Sequence, residues 1–382
     1  MRISLVTETY FPQVNGVSRT LGQLVRVLRE CGDRVQVVHP NYGQGPAHPD
    51  DLLVHSTKVP FYPELHLPLP PFGREMSLMR EFQPDIVHIA TEATLGLSAL
   101  RHARRRGWPL VSSFHTNFDQ YSRHYGVGWS RGIVRWYLRW FHNRTLETYV
   151  PSKVTIDQLR PLGFERLVLW PRGVDSAHFY PDRPRRTALR ESLGIDPNTI
   201  LIGHVSRLAA EKNVEYLADA MERVDQERPN VRFLFVGDGP ARPGMEKRLG
   251  HFARFVGYKS GEDLADHYAA CDLFVFASKT ETFGNVVLEA LASGLPVVAV
   301  RSGGPGEIIR QGETGLLIDP VAPADQFAKA LVHLIDDTDG RRRMAVSARE
   351  YAQTQSWDAI MLELRERYLA ILSKAETLAD RG

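Results

Sequence analysis

Short apolar runs alternate with helical segments along the whole chain, in two successive sets, and this alternation limits the fold more than any other feature. The first half offers ISLVT (3–7), VQVVH (35–39), DIVHI (85–89), LVSSF (110–114) and TYV (148–150). The second offers ILIGHV (200–205), FLFVG (233–237), LFVFA (273–277), PVVAV (296–300) and GLLID (315–319). Runs this short and this continuously apolar suit strands buried on both faces, and the helical segments between them supply the crossovers that parallel pairing needs. Val17, Leu21, Leu24, Val25 and Leu28 fall on one helical face between the first two runs. The chain therefore reads as α/β with two parallel-sheet halves, and its 382 residues suffice for two or three domains.

The Pro- and charge-rich stretch LWPRGVDSAHFYPDRPRR (169–186) reads as the linker between the halves. Residues 40–73 hold many prolines and read as a long loop at the first sheet's edge, and long loops in compact domains are often functional. The tail from about 340 is helical, and its Ile360, Leu362, Leu364, Tyr368, Leu369 and Ile371 suit packing on either half.

Charge is uneven although the net is only +2. Residues 1–170 carry 20 Lys+Arg against 14 Asp+Glu, and the remainder 27 against 31. A basic first half favours an anionic partner, lipid headgroups or phosphate, but is too mild to indicate nucleic acid. Two cysteines, Cys31 and Cys271, cannot build a disulfide framework or a zinc cluster, and both read as reduced core residues. The first residues, MRISLVTETY, read as a strand rather than a signal peptide. No apolar run approaches the roughly 20 residues of a membrane span. A cytoplasmic protein is the expectation.

The run KTETFGNVVLE (279–289) sets Glu281 and Glu289 on either side of a glycine turn, between an apolar strand and an apolar helix. Ligands of open α/β sheets bind at such junctions, where backbone N–H groups and the positive helix end face a phosphate. Carboxylates flanking the turn can hold the hydroxyls of a sugar and a ribose on either side of a diphosphate. Taken alone, the same spacing most often means one loop Glu and one surface Glu. VSRLAAEKN (205–213) follows a strand and places Arg207 and Lys212 where they can neutralise that diphosphate, with Glu211 as an internal partner for either cation. In FPQVNGV (11–17), Asn15-Gly16 permits a tight turn with an N–H exposed at a helix start, or a plain βα turn. FHTNFDQY (114–121) closes a strand with His115, which either serves structure, accepts a proton or bonds a substrate hydroxyl. The polar residues that follow, Thr116, Asn117, Asp119 and Tyr121, favour function. VGDGP (236–240) is a structural turn, and Asp337-Thr338-Asp339 a solvated one rather than a metal site.

WSRGIVRWYLRWFHNR (129–144) is an amphipathic helix. Ile133, Trp136, Tyr137 and Trp140 share one face, and Arg131, Arg135 and Arg139 another. It suits either a lipid interface or packing on the first domain with its arginines in water.

In order, PQVNGVS (12–18), DIVHI (85–89), FHTNF (114–118), RGVD…F (172–179), SRLAAEKN (206–213), VGDGP (236–240), FVGY (255–258) and ETFGNVVLEALASGLPVVA (281–299) resemble the family 4 retaining glycosyltransferases of the GT-B fold. The likeness spans nearly the whole chain and is nearest to bacterial GDP-mannose-dependent α-mannosyltransferases and related glycolipid synthases. It implies two Rossmann-like domains with parallel sheets facing a central cleft: an acceptor domain over 1–170, a nucleotide-sugar donor domain over 171–355, and a helix over 356–382 crossing back to the first. By that resemblance Arg207 and Lys212 bind the donor diphosphate and Glu281 holds hydroxyls of the transferred sugar. Phe283, Gly284, Asn285 and Val286 present backbone to sugar and phosphate, and Glu289 holds the ribose. Tyr258 and Lys259 touch the base, Asn15 and Gly16 bring backbone to the phosphates, and His115 bonds the sugar near its reacting centre. Many relatives carry two glycines where this chain has Asn15-Gly16.

The resemblance further implies a metal-independent hexose transfer, mannose from GDP-mannose, to a lipid or lipid-linked acceptor. The enzyme would be peripheral on the inner face of the cell membrane, with Arg131, Arg135, Trp136, Arg139 and Trp140 toward lipid. A UDP-glucose- or UDP-glucuronate-dependent diacylglycerol glycosyltransferase is the alternative. A non-catalytic sugar-nucleotide-binding module is the reading from another class. Donor base, sugar, acceptor and oligomeric state are not fixed by the residues.

Overall fold

The computed structural model describes residues 1–379 except 14, 44, 47, 60, 61, 71, 116–129 and 282. Two compact units emerge: Met1–Arg172 together with the chain from Trp357 on, and Gly173–Ser356. Each holds one parallel sheet.

In the first unit, β1 (Arg2–Val6), β2 (Arg34–Pro40), β3 (Leu52–Val54), β6 (Ile86–Ile89), β7 (Leu110–Ser113), β8 (Thr148–Val150) and β9 (Leu167–Leu169) lie in the order β3-β2-β1-β6-β7-β8-β9. The stretch read as a long loop instead contributes β3 to this sheet and a separate antiparallel pair, β4 (Ser56–Val59) with β5 (Tyr62–Pro68). β3 is three residues long and pairs on one side only, so it leaves little periodic signal.

Helix Gly16–Glu30 buries Leu21, Leu24, Val25, Val27 and Leu28. Asn15 starts it: Oδ1 accepts from the Val17 and Ser18 N–H at 3.0 and 2.9 Å, and Ser18 Oγ accepts from the Asn15 N–H at 3.2 Å. Such a reciprocal cap contributes about 1 kcal/mol. Cys31, expected in the core, is exposed just past the helix end, whereas Cys271 is buried.

The last helix, Trp357–Ala379, completes the first unit's core. Trp357, Ile360, Met361, Leu364 and Tyr368 follow helical spacing and pack with Leu21, Leu24, Tyr149 and Trp170, while Leu362 stays exposed. The Tyr368 hydroxyl lies 2.7 Å from Nδ1 of buried His88 on β6.

In the second unit, β10 (Ile200–Val205), β11 (Val231–Val236), β12 (Ala253–Phe255), β13 (Leu273–Phe276), β14 (Val297–Val300) and β15 (Gly315–Ile318) run in the order β12-β11-β10-β13-β14-β15. Successive residues face opposite cores: Ile202, Phe233, Phe235 and Val275 pack with Leu217, Met221 and Leu331, and Leu201, Leu234, Phe274 and Phe276 with Leu288 and Leu291. Helices cover both faces, which is why the strands read as unbroken apolar runs.

Glu8, just past β1, is buried in the first unit. Its carboxylate accepts from the Gly96 N–H at 2.9 Å and from the Thr91 hydroxyl. Burial pushes its pKa up to about 8 against the pull of the Gly96 N–H, and Glu92 adds to the rise. A pKa raised above the unfolded value means that the folded state holds a proton the unfolded chain releases, so stability falls as pH rises from about 4.5 to 8. Glu8→Gln removes this term. The fall in thermal midpoint of the variant across that window should be shallower than in the parent, and parallel midpoint curves would show that Glu8 does not titrate there.

Candidate active site

The second sheet reverses its winding between β10 and β13: the chain moves from β10 outward to β11 and β12, then returns to β13 on the other side. Loops leaving the C-terminal ends of such neighbours diverge and open a crevice, the standard ligand position in this architecture. The loop after β10 carries Arg207 and Lys212, and the loop after β13 carries Glu281.

The two loops are tied together. A 3₁₀ turn, Ala210–Lys212, ends at Asn213 in left-handed conformation (φ 57°), and Asn213 Nδ2 donates to the Ala277 carbonyl at 3.2 Å. Ser278 and Thr280 hydroxyls lie 3.5 and 3.4 Å from the Glu211 carbonyl oxygen. Lys212 Nζ donates to Glu281 Oε1, and the two side chains are 20% and 19% exposed. Arg207 takes Glu211 as its partner at 2.6 Å and remains 65% exposed. Behind Arg207, Gly237 of the VGDGP turn sits at φ 132°, and a Cβ there would meet the Ser206 carbonyl oxygen at 1.9 Å. That turn is a buttress: Leu208 N–H donates to Asp238 O at 2.9 Å.

Helix Asn285–Ala292 begins at this crevice. Gly284, at φ 92°, turns the chain into it. The N–H groups of Asn285 and Val286 precede the helical ladder and are the kind that meet an anion. Asn285 Oδ1 is buried without a partner among the described residues. Glu289 is 3% exposed and accepts from the Tyr268 hydroxyl at 3.0 Å, which also lies 3.2 Å from Val286 O. Phe283 packs partly buried against the core. Tyr258 and Lys259 follow β12 at the same sheet end, two strands from β10; Tyr258 is 65% exposed, and Lys259 pairs with Asp263 at 3.1 Å.

A second loop that sequence reasoning passed over supports the Glu281 turn. Ser302 Oγ donates to Lys279 O at 2.7 Å, and Gly304 N–H to Glu281 O at 3.2 Å. A Cβ on Gly303 would lie 2.0 Å from Glu281 O, and one on Gly304 2.0 Å from Phe283 O. The consecutive glycines of SGGPG (302–306) were the available signal.

The first unit holds its own polar group. His115, just past β7, has Nε2 at 2.9 Å from Ser113 Oγ and Nδ1 at 3.1 Å from Arg172 Nη2. Thr116, Asn117, Asp119 and Tyr121 lie outside the described residues. Asn15 spends its side-chain oxygen on the helix cap and its Nδ2 on Thr9 at 2.8 Å, so only backbone remains there to meet a ligand, at Gly16.

Helix Ser130–His142 docks by Leu138 and Phe141, with Tyr137 and Trp140 of the expected Ile133/Trp136/Tyr137/Trp140 face partly buried against the same core and Ile133 and Trp136 left outside it. Tyr137 donates to Glu92 O at 2.5 Å. Ile133 and Trp136 are 54% and 55% exposed, and Trp140 is half-buried beneath Arg144 at 4.2 Å. Arg135 and Arg139 are exposed, and the Arg131 side chain is outside the described set.

Two family descriptions match the chain: "Glycosyltransferase Family 4" over residues 14–178 and "Glycosyl transferases group 1" over 185–351. A GDP-mannose-dependent alpha-mannosyltransferase of Mycobacterium tuberculosis is 34% identical over 386 residues, covering 99% of each chain. The chain belongs to this glycosyltransferase family. An alpha-monoglucosyldiacylglycerol synthase of Streptococcus pneumoniae is 29% identical, over 78% of this chain and 71% of its own. The crystal structure of Anabaena HepE in complex with UDP-glucose superposes with a TM-score of 0.77 at 22% identity, covering 97% of this chain and 100% of that one. The glycosyltransferase thus has the GT-B fold, two Rossmann-like domains with parallel sheets, and is a hexosyltransferase.

Gly304→Val tests the coupling of the glycine loop to the donor turn. The added carbons have no room beside Phe283 O, so the Glu281–Gly284 backbone must move. Nucleotide affinity by calorimetry should fall tenfold or more, about 1.4 kcal/mol. Unaltered affinity would mean that the turn does not hold nucleotide.

Proposed function

We propose that this glycosyltransferase moves a hexose, mannose from GDP-mannose, to a lipid or lipid-linked acceptor without a metal ion. The Lys212–Glu281 pair at the strand reversal, beside the start of helix Asn285–Ala292, carries the reading. The acceptor hydroxyl oxygen bonds to the anomeric carbon while the bond from that carbon to the β-phosphate oxygen breaks. The bonding electrons leave with the nucleoside diphosphate, and the acceptor's proton passes to the departing phosphate oxygen on the same face of the sugar. The charge growing on the diphosphate is met by Lys212, Arg207 and the N–H groups of Asn285 and Val286, fixed in place before reaction. Glu281 holds sugar hydroxyls, Glu289 the ribose, Tyr258 and Lys259 the base. His115 bonds a sugar hydroxyl, and the backbone at Gly16 meets the phosphates. On this reading the second unit binds the donor, with His115 and Gly16 contributing from the first, which also takes the acceptor.

The mycobacterial relative supports GDP-mannose, and the pneumococcal one supports a second reading, glucosylation of diacylglycerol, for which UDP-glucose would be the donor. No helix among the described residues is long and apolar enough to cross a membrane. Peripheral docking on the cytoplasmic leaflet is proposed from exposed Ile133 and Trp136. In the same unit, exposed Arg101, Arg104, Arg105, Arg135 and Arg139 carry no carboxylate partner among the described residues. Aromatic and basic side chains together suit an anionic interface.

Radiolabelled GDP-mannose, UDP-glucose and UDP-glucuronate, each given with membrane extract, separate the two donor readings. Nucleotide binding without transfer from any of them would leave only a binding module. Lys212→Ala or Arg207→Ala should lower turnover by roughly 10²–10³; near-normal rates would remove that residue from charge stabilisation. For docking, the Ile133→Ser/Trp136→Ser double variant should lose flotation with phosphatidylglycerol-containing vesicles, and unchanged flotation rules this face out.

A further inference from the structure

Arg172 opens the RGVD run, in a stretch that reads as a solvated linker. In the fold it is 5% exposed, and no carboxylate among the described residues pairs with it. Its guanidinium carbon lies 4.6 Å from the Trp170 ring centroid. Nη1 donates to the carbonyl oxygens of Trp170 and Pro171 at 2.8 and 3.3 Å, and Nη2 reaches Nδ1 of His115 at 3.1 Å. The His115 ring stands edge-on to the same indole, centroids 6.0 Å apart.

A guanidinium offers only donors, and although burial lowers the Arg172 pKa to about 9 it stays charged near neutral pH. A ring nitrogen facing it can therefore only accept. Nδ1 must carry the lone pair, so the single ring proton of the neutral imidazole sits on Nε2, directed at Ser113 Oγ 2.9 Å away. We propose that Arg172 is a positioning residue that fixes His115 as a neutral imidazole with its proton on Nε2, so that His115 meets the sugar as a hydrogen-bond donor, by exchanging Ser113 Oγ for a sugar hydroxyl, and not as a base. This rests on the proposed contact between His115 and the transferred sugar.

The surroundings agree. Besides Arg172 and Ser113, His115 is faced by His88 from β6 and His142 from helix Ser130–His142. Burial holds both of those rings at a pKa of about 3, so both are neutral. No carboxylate acts on the His115 ring among these neighbours. Burial first, then the Arg172 charge, holds its pKa well below the ordinary value. The imidazolium is thus disfavoured throughout the working range, and Nε2–H is the one proton the ring can offer.

The primary test reads the tautomer directly, in the full-length protein without substrate. Long-range ¹H–¹⁵N correlation of ¹⁵N-histidine protein, with His115 assigned by difference from His115→Gln, should show Nε2–H and no protonation between about pH 6 and 8. A proton on Nδ1, or titration near the ordinary value of about 6.5, would overturn the proposal. The second test uses Arg172→Met and Arg172→Lys. Without the cation the neutral ring, still buried, can divide its proton between two nitrogens. The correlation spectrum of Arg172→Met should therefore show a share of Nδ1–H that the parent lacks, with a lower kcat/KM, and Arg172→Lys, again a pure donor, should restore Nε2–H alone. A slower Arg172→Met enzyme with an unchanged tautomer would mean that Arg172 only packs against Trp170. Absence of sugar transfer by the parent would defeat the proposed function while leaving the tautomer result standing.

Discussion

Charge placement in the second unit depends on one topological constraint, the reversal of strand order between β10 and β13. Parallel neighbours whose chains depart in opposite directions leave a gap above their C-terminal ends that neither crossover helix fills. Here the gap is bounded by loops that share hydrogen bonds through the Glu211 carbonyl and Asn213, and by the Lys212–Glu281 pair. The pair is partly desolvated, so removing either member would leave a charge with little water to hold it. The cations thus have partners before any substrate arrives: Glu281 holds Lys212 and Glu211 holds Arg207. A diphosphate entering this gap competes with carboxylates for cations already in place, so little side-chain ordering remains to be done at the moment of binding.

The fold was legible because strands sandwiched between helices are apolar on both faces, leaving ten continuous runs that spacing alone identifies. The gathering of Arg207, Lys212 and Glu281 at the strand reversal was legible because they sit within a few positions of strand ends. Legibility failed where burial depends on partners distant in sequence. Arg172 reads as a linker charge, and only the fold sets it between Trp170 and His115. Helix Ser130–His142 carries apolar residues on two overlapping faces, 133/136/137/140 and 137/138/141, and periodicity cannot say which one docks. Leu138 and Phe141 win because the hollow against Phe114 and Phe164 and the one beside Leu100 are already apolar. Cys31 illustrates a smaller failure: an apolar neighbourhood in sequence ends abruptly once the helix does.

Asn15 shows how one residue type supports two readings. In sequence, Asn-Gly after a strand suggests an open turn with N–H groups free for an anion. In the fold the asparagine oxygen consumes the Val17 and Ser18 N–H groups, which are donors that a glycine at this position would leave open. The helix start is firmer for the cap, and the set of N–H groups left for a phosphate is correspondingly smaller.

The last helix belongs to the unit that the chain begins, although the whole of the other unit lies between them. Tyr368 and His88 are separated by 280 positions. On the ribosome, then, the order of completion is inverted. Gly173–Ser356 contains all of its own strands and can close its core as soon as it emerges, while the segment made first waits with Leu21, Leu24 and Trp170 uncovered until the final helix is synthesised. That interval leaves an apolar face uncovered, so the part of the chain that is made earlier is the part most in need of a chaperone.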